Sequence, residues 1–204
     1  DGATNRLARL TGGGVFWRYD AREYDWIDDD LAAIRRDFLP ADLAREIAAA
    51  GVDAVVSVQA RQSLEETRWL LELASESEFV AGVVGWVPLV SATVGETLAE
   101  LARDPRLCGV RHVLQGEVDP GFAARPDFDA GIAALREHGL AYDILVYEWQ
   151  LPMATALVDR HPDQVFVVDH VAKPRIREGI LSPWRERMRE LGRRPNVFCK
   201  LSGM

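Results

Sequence analysis

The sequence predicts an α/β fold built on a parallel sheet, and three observations carry that prediction. Short apolar runs rich in β-branched residues recur without polar alternation, at Ala54–Val58, Val80–Val87, Leu107–Val113 and Val165–Asp169. Such runs read as strands buried on both faces. Between them lie segments of helical period, so strands return at intervals of roughly 30 residues, the spacing of βαβ units. Ionisable side chains gather at the carboxyl ends of these runs, where α/β enzymes keep their chemistry.

In chain order, residues 1–14 carry little pattern, and Gly12-Gly13-Gly14 reads as a flexible interruption. Val15-Phe16-Trp17 is the first strand-like run, followed by a polar and aromatic loop without helical period. Loops of that length in compact domains are functional or mobile. Pro40-Ala41-Asp42 opens a helix with Leu43, Ile47 and Ala50 on one face, and Gly51 closes it. After the strand ending at Val58, Ser63 and Glu66 form a capping-box pattern, and Leu70, Leu71 and Ala74 face inward. Pro88 breaks the strand that reaches Val87. Ser91 or Thr93 starts the next helix, with Leu98 and Leu101 on its apolar side. Helices follow at Pro126–His138, Leu151–His161 and Pro183–Leu191, and strands at Leu140–Tyr147 and Val197–Leu201. The total is about seven strands. A closed (β/α) barrel needs eight strands and typically ~250 residues, and a doubly wound open sheet fits the periodicity as well. The glycine-rich phosphate turns of the open-sheet folds are absent.

With 204 residues, 48% of them hydrophobic and 27% charged, the chain can bury one sizeable core. A net charge of −8 argues against nucleic-acid and anionic-membrane partners, which require basic patches. No apolar run approaches the ~20 residues of a membrane span, and the first residues lack a signal peptide's apolar centre. Cys108 and Cys199 sit in apparent strands and read as small buried hydrophobes of a cytoplasmic protein; their spacing offers no zinc knuckle or redox pair.

The strand ends give the candidate site: Gln59, Arg61, Trp86, Arg111, His112, Tyr147, His170, Lys173, Lys200 and Ser202. The set can polarise a carbonyl, hold an anion and position hydroxyls. It contains no nucleophile elbow, which makes water the nucleophile. His170 can bind a metal or a substrate oxygen as the neutral ring, or donate to an oxyanion as imidazolium; a structural histidine is the alternative. Arg111, inside an apolar strand, needs a partner, either a substrate carboxylate or lactone oxygen, or Asp143 on the next strand. His112 alternates to the opposite face and reads as packing. Lys200 binds an anion or pairs with an acid of the sheet. Asp169 orients a loop or ligand. Trp17, Trp26 and Trp86 wall a sugar-sized pocket or simply pack.

The blocks Val15–Asp20, Tyr24–Ile27, Asp37–Pro40, Val58-Gln59-Ala60, Leu64–Thr67, Gly82–Val87, Gly109–His112, Asp169–Pro174 and Cys199–Gly203 resemble the amidohydrolase-related family 2 hydrolases, and within them the sugar-acid lactonases. The resemblance implies a metal-dependent-hydrolase type (β/α)8 TIM barrel, here incomplete with about seven β/α units. It implies one domain over 1–204, truncated at its C-terminus, with 1–14 an atypical lead. The implied reaction is water attack on an aldonolactone, impaired in so short a chain. His170 and Arg111 are the implied catalytic residues; Gln59, Trp86, Tyr147, Lys173 and Lys200 the implied substrate contacts; and His170 the candidate ligand of a divalent metal such as zinc, if one is bound at all. The partner is a small-molecule lactone. Two departures stand out. The family's His-x-His is replaced by Gly13 and Val15, and its usual base, an Asp after an eighth strand, falls beyond Met204. Hydrolysis or decarboxylation of a pyrone or muconolactone-type acid, and a non-catalytic truncated barrel, are the competing readings.

Overall fold

The computed structural model describes residues 13–14, 16–24 and 27–203. It divides into two units: residues up to Trp86 with Arg103–Cys108, and Val87–Ala102 with the chain from Gly109 onward.

In the first unit, β1 (Gly13–Gly14), β2 (Val55–Val58) and β3 (Val80–Gly85) pair in parallel and in chain order. The first strand thus lies in the glycines that the sequence reads as an interruption. Backbone pairing needs no side chain, and Gly13 and Gly14 align with Val56 and Ser57. Val15 lies outside the described residues, and Trp17 makes an isolated antiparallel bridge to Phe38. The loop that follows is not unstructured: Asp29–Ile34 is a 3-10 helix. Trp17, Tyr24 and Ile27 are buried together against Tyr19, Ile34, Phe38 and Ala60. Trp17 packs 4.7 Å from Phe38 and donates its indole N–H to the Arg36 carbonyl, so packing accounts for it. Trp26 lies outside the described residues. Helix α1 (Pro40–Ala50) starts at Pro40 and ends at Gly51, as its signals require. Its supposed inner face is shallow: Leu43 and Ile47 are half-buried and Ala50 is exposed. Helix α2 (Leu64–Glu76) buries Leu70, Leu71 and Ala74. The Ser63 Oγ accepts from Glu66 N–H, one half of the capping box. The other half is missing, because the Glu66 carboxylate turns to the backbone N–H groups of Ala60 and Arg61.

In the second unit, α3 (Val94–Leu101) buries Leu98 and Leu101. Strand β4 (Leu107–His112) starts in the first unit and runs into the second, where it pairs in parallel with β5 (Ala141–Ile144). Next come β6 (Phe166–Val168) and β7 (Val197–Cys199), again in chain order. Helices α4 (Pro126–Glu137), α5 (Leu151–Arg160) and α6 (Trp184–Leu191) alternate with these strands. A ladder of edge-to-face rings, Phe128 to Tyr142 at 6.0 Å and Tyr142 to Phe166 at 6.1 Å, fills the helix side of the sheet. The strand pleat puts Tyr142 and Phe166 on this side, and therefore Arg111, Asp143 and Val167, one residue out of step, on the other. Cys108 is half-buried and Cys199 exposed, so the reading of both as buried hydrophobes fails for Cys199. No helix among the described residues is long and apolar enough to cross a membrane.

Candidate active site

Chemistry-bearing side chains converge in the second unit, on the face opposite the aromatic ladder. The centre is Asp169, wholly buried just past β6. Arg111, from β4, donates to Asp169 Oδ2 at 2.8 Å. Lys200, just past β7, lies 2.7 Å from Asp169 Oδ1 and also pairs with Asp143 of β5. Two cations and two carboxylates thus alternate as Arg111, Asp169, Lys200, Asp143. The sequence left Arg111 two partners, a substrate oxygen or Asp143, its register neighbour. The guanidinium reaches past β5 to Asp169 instead, and Lys200 takes Asp143. Burying either carboxylate alone would be prohibitive, and charge pairing is the way such groups are tolerated.

Protonation follows from these partners. Burial raises the Asp169 carboxyl, but the Lys200 ammonium and the Arg111 guanidinium outweigh it and hold the group below the ordinary carboxylate range. Asp143 goes the other way. Burial pushes it up to about 6 despite Lys200, and the negative charge of Asp169 adds to the rise. Burial also lowers the pKa of His170, and Lys173, Arg111 and Lys200 reinforce that against Asp169, so the ring is neutral near pH 7. Lys173 is likewise lowered, by burial first and by Arg111 next.

His170 and Lys173 stand on an unusual piece of backbone. His170, Val171, Ala172 and Lys173 all have φ between 47° and 56°. Four consecutive L-residues in the left-handed region cost about 1–2 kcal/mol each, and a β-branched residue such as Val171 is a genuine outlier there. The His170 Nδ1 lies 2.9 Å from Ser202 Oγ. Gly203, with φ 66°, lies so close that a Cβ there would meet the His170 ring at 3.0 Å. Lys173 donates to Gln115 Oε1 at 2.6 Å, and its ammonium sits 5.1 Å from the centre of the Tyr147 ring. Tyr147 in turn stacks on the exposed Trp149 at 4.4 Å.

Of the residues anticipated from sequence, Arg111, Tyr147, His170, Lys173, Lys200 and Ser202 all lie in this unit. His112 faces away, as the pleat demands: it stacks on Phe122 at 4.9 Å and bonds Glu117 at 2.6 Å. Gln59 and Trp86 belong to the first unit. Gln59 is buried at the end of β2, and the Trp86 backbone is tied to Thr67 Oγ1. Arg61 is engaged by Glu23 and stacks over Tyr24. Gln115 and Trp149 were missed. Neither lies at a strand end, and nothing in their local pattern marks them. Asp143 was seen only as a structural partner, because a strand acid looks the same whether its cation is one strand away or two.

The donor set does not fit a divalent metal. Among the described residues no three His, Cys, Asp or Glu side chains converge. Asp143 and Asp169 are already neutralised by Lys200 and Arg111, leaving His170 as a lone imidazole, whereas zinc sites take three or four such ligands.

The chain matches the amidohydrolase family over residues 16–204. It is 43% identical, over 196 residues, to an L-fucono-1,5-lactonase of Burkholderia ambifaria, an alignment covering 96% of this chain and 68% of that protein. The crystal structure of an amidohydrolase from Burkholderia multivorans, with bound zinc, superposes with a TM-score of 0.92 at 41% identity, covering 96% of this chain and 69% of that one. An uncharacterised TIM-barrel protein from Bordetella bronchiseptica, 16% identical, superposes at 0.60 over 93% of this chain and 74% of its own and shows the fold alone. The fold class is therefore the (β/α)8 barrel, of which the described strands supply seven.

Proposed function

This chain belongs to the amidohydrolase family, and from that premise we propose that it is a cytoplasmic hydrolase of sugar-acid catabolism that opens an aldonolactone ring. The carrying observation is the 43% identity to an L-fucono-1,5-lactonase across 96% of the chain. The second unit has the groups such a reaction needs. Ring opening requires a proton acceptor for water, donors for the tetrahedral oxyanion and a hold on the ring hydroxyls. Neutral His170 is a described group able to take the proton. Arg111 and Lys200 supply positive charge for the oxyanion, and their pairing with Asp169 and Asp143 fixes them in place, so little reorganisation accompanies the reaction. Lys173 and Tyr147 receive hydroxyls or the carboxylate of the product. Zinc, seen in the Burkholderia multivorans structure, finds no group of three or more suitable ligands among the described residues.

The charge balance favours a neutral lactone over a dicarboxylate. Two of the three cations are matched by carboxylates, and Lys173 is held by an amide. The test is acid release by the purified protein from L-fucono-1,5-lactone and its stereoisomers, beside a 2-pyrone dicarboxylate. Turnover of a six-membered aldonolactone at ~1–10³ s⁻¹ supports the reading. Preference for the pyrone, or no hydrolysis of any aldonolactone, overturns it.

A further inference from the structure

The turn at His170–Lys173 is the most strained backbone in the described chain, and something has to hold it there. Residues kept in sparsely populated φ regions persist only where the surroundings over-determine them. Val171 is the pivot. It is buried, and both of its backbone polar groups find partners outside the turn. Its N–H donates to the Lys200 carbonyl at 3.2 Å. Its carbonyl accepts the Trp184 indole N–H at 2.7 Å. Rotation of Val171 toward right-handed geometry would forfeit both bonds and strand buried polar groups. The first partner lies just past β7. The second comes from the first turn of α6, whose Trp184 is half-buried.

We propose that Trp184 is a positioning residue. By binding the Val171 carbonyl it locks the left-handed turn that presents His170 toward Ser202 and Lys173 toward Gln115 and Tyr147. Residues three apart in so tight a turn share a face. His170 and Lys173 are such a pair, while Val171 and Ala172 between them are buried. The kinetic part of this proposal rests on the lactonase reading; the backbone part does not.

The test compares Trp184→Phe, which keeps most of the ring and removes the N–H, with Ala172→Gly and with the double variant, all in the native protein. In Trp184→Phe, crystal structures or backbone coupling constants will show residues 170–173 leaving positive φ. On an aldonolactone, kcat/KM falls by about 10²-fold, with KM rising as kcat drops. Glycine adopts positive φ freely, so Ala172→Gly lowers the cost of the left-handed turn at one of its four positions, and the double variant recovers part of both φ and KM. Residues 170–173 remaining at positive φ in Trp184→Phe would overturn the proposal. So would a fall confined to kcat and proportional to the folded fraction, which is what a purely structural residue produces. If Trp184→Phe does not fold, hydrogen exchange at the indole N–H of the unaltered protein decides: strong protection is expected, and exchange at the solvent rate refutes the lock. Absence of lactone turnover in the parent would sink the functional reading and leave the backbone and exchange measurements to judge Trp184.

Discussion

Two buried carboxylates, one in each unit, show how a shared chemistry serves different ends. Glu66, 1% exposed, sits near the amino end of α2. It accepts from Ala60 N–H at 3.0 Å, Arg61 N–H at 2.7 Å and the Tyr24 hydroxyl at 3.3 Å. Asp169, 0% exposed, follows β6 and is held by Arg111 of β4 and by Lys200 just past β7. Burial raises the Glu66 pKa, and the backbone donors of Arg61 and Ala60 recover only part of the loss. At Asp169 the full charges of Lys200 and Arg111 more than offset burial. A carboxylate satisfied mainly by its own loop's backbone shapes that loop. A carboxylate satisfied by distant cations stores charge that a ligand can meet.

The comparison breaks most easily at Arg111. Arg111→Ala should lower kcat/KM by about 10²–10³-fold, the scale of losing an oxyanion donor. It should also cost about 3–5 kcal/mol of stability, because a buried ion loses its partner. Steady-state kinetics beside denaturant unfolding separates the two. Full activity in a folded variant would make Arg111 architectural, like Glu66.

Acid titration sharpens the contrast further. The folded-state pKa of Asp169 is depressed, so its stabilisation is present above the unfolded value of about 3.9 and is lost as pH falls through the folded one. Asp143, raised to about 6, has the opposite sign: its contribution is present below about pH 4 and is lost as pH rises through about 6. Unfolding of Asp143→Asn and the parent should therefore diverge between these values, the difference moving in the variant's favour as pH rises. A constant difference would show that Asp143 does not titrate in that window.

Smaller effects follow. Lys173→Met should raise KM for an aldonolactone by about tenfold, with the melting temperature nearly unchanged, since one half-buried hydrogen-bonded cation contributes about 1–3 kcal/mol to a bound ligand. An unchanged KM would remove Lys173 from the substrate contacts. Glu66→Gln should be least visible in kinetics, leaving kcat/KM within about twofold while stability falls by about 1–3 kcal/mol as backbone donors lose their anion. A large kinetic defect with intact stability would erase the distinction between the two carboxylates.

Much of the fold was legible in residue order. Ser63, Pro40 and Gly51 mark helix ends because capping and turn geometry depend on nearest neighbours alone. The unalternated runs at β2, β3, β4 and β6 mark buried parallel strands for the same local reason. The strand β1 was misplaced because two glycines carry no side-chain pattern, only backbone bonds to a partner roughly 40 residues away. The half-buried face of α1 was overestimated because periodicity says which residues share a side, not how deep that side sits.

By itself, then, the sequence determined the alternation of strand and helix, the parity that sends Arg111 and His112 to opposite faces, and the placing of His170 and Lys173 just past their strand. These depend on local sterics and on a pleat of period two. Tertiary structure decided that Arg111 meets Asp169 and Lys200 meets Asp143, that Gln115 and Trp149 join Lys173 and Tyr147, and that four residues after β6 turn left-handed. Each is a competition among partners distant in sequence. Its outcome depends on which pairing leaves the fewest buried charges and backbone groups unsatisfied, a quantity no stretch of chain contains alone.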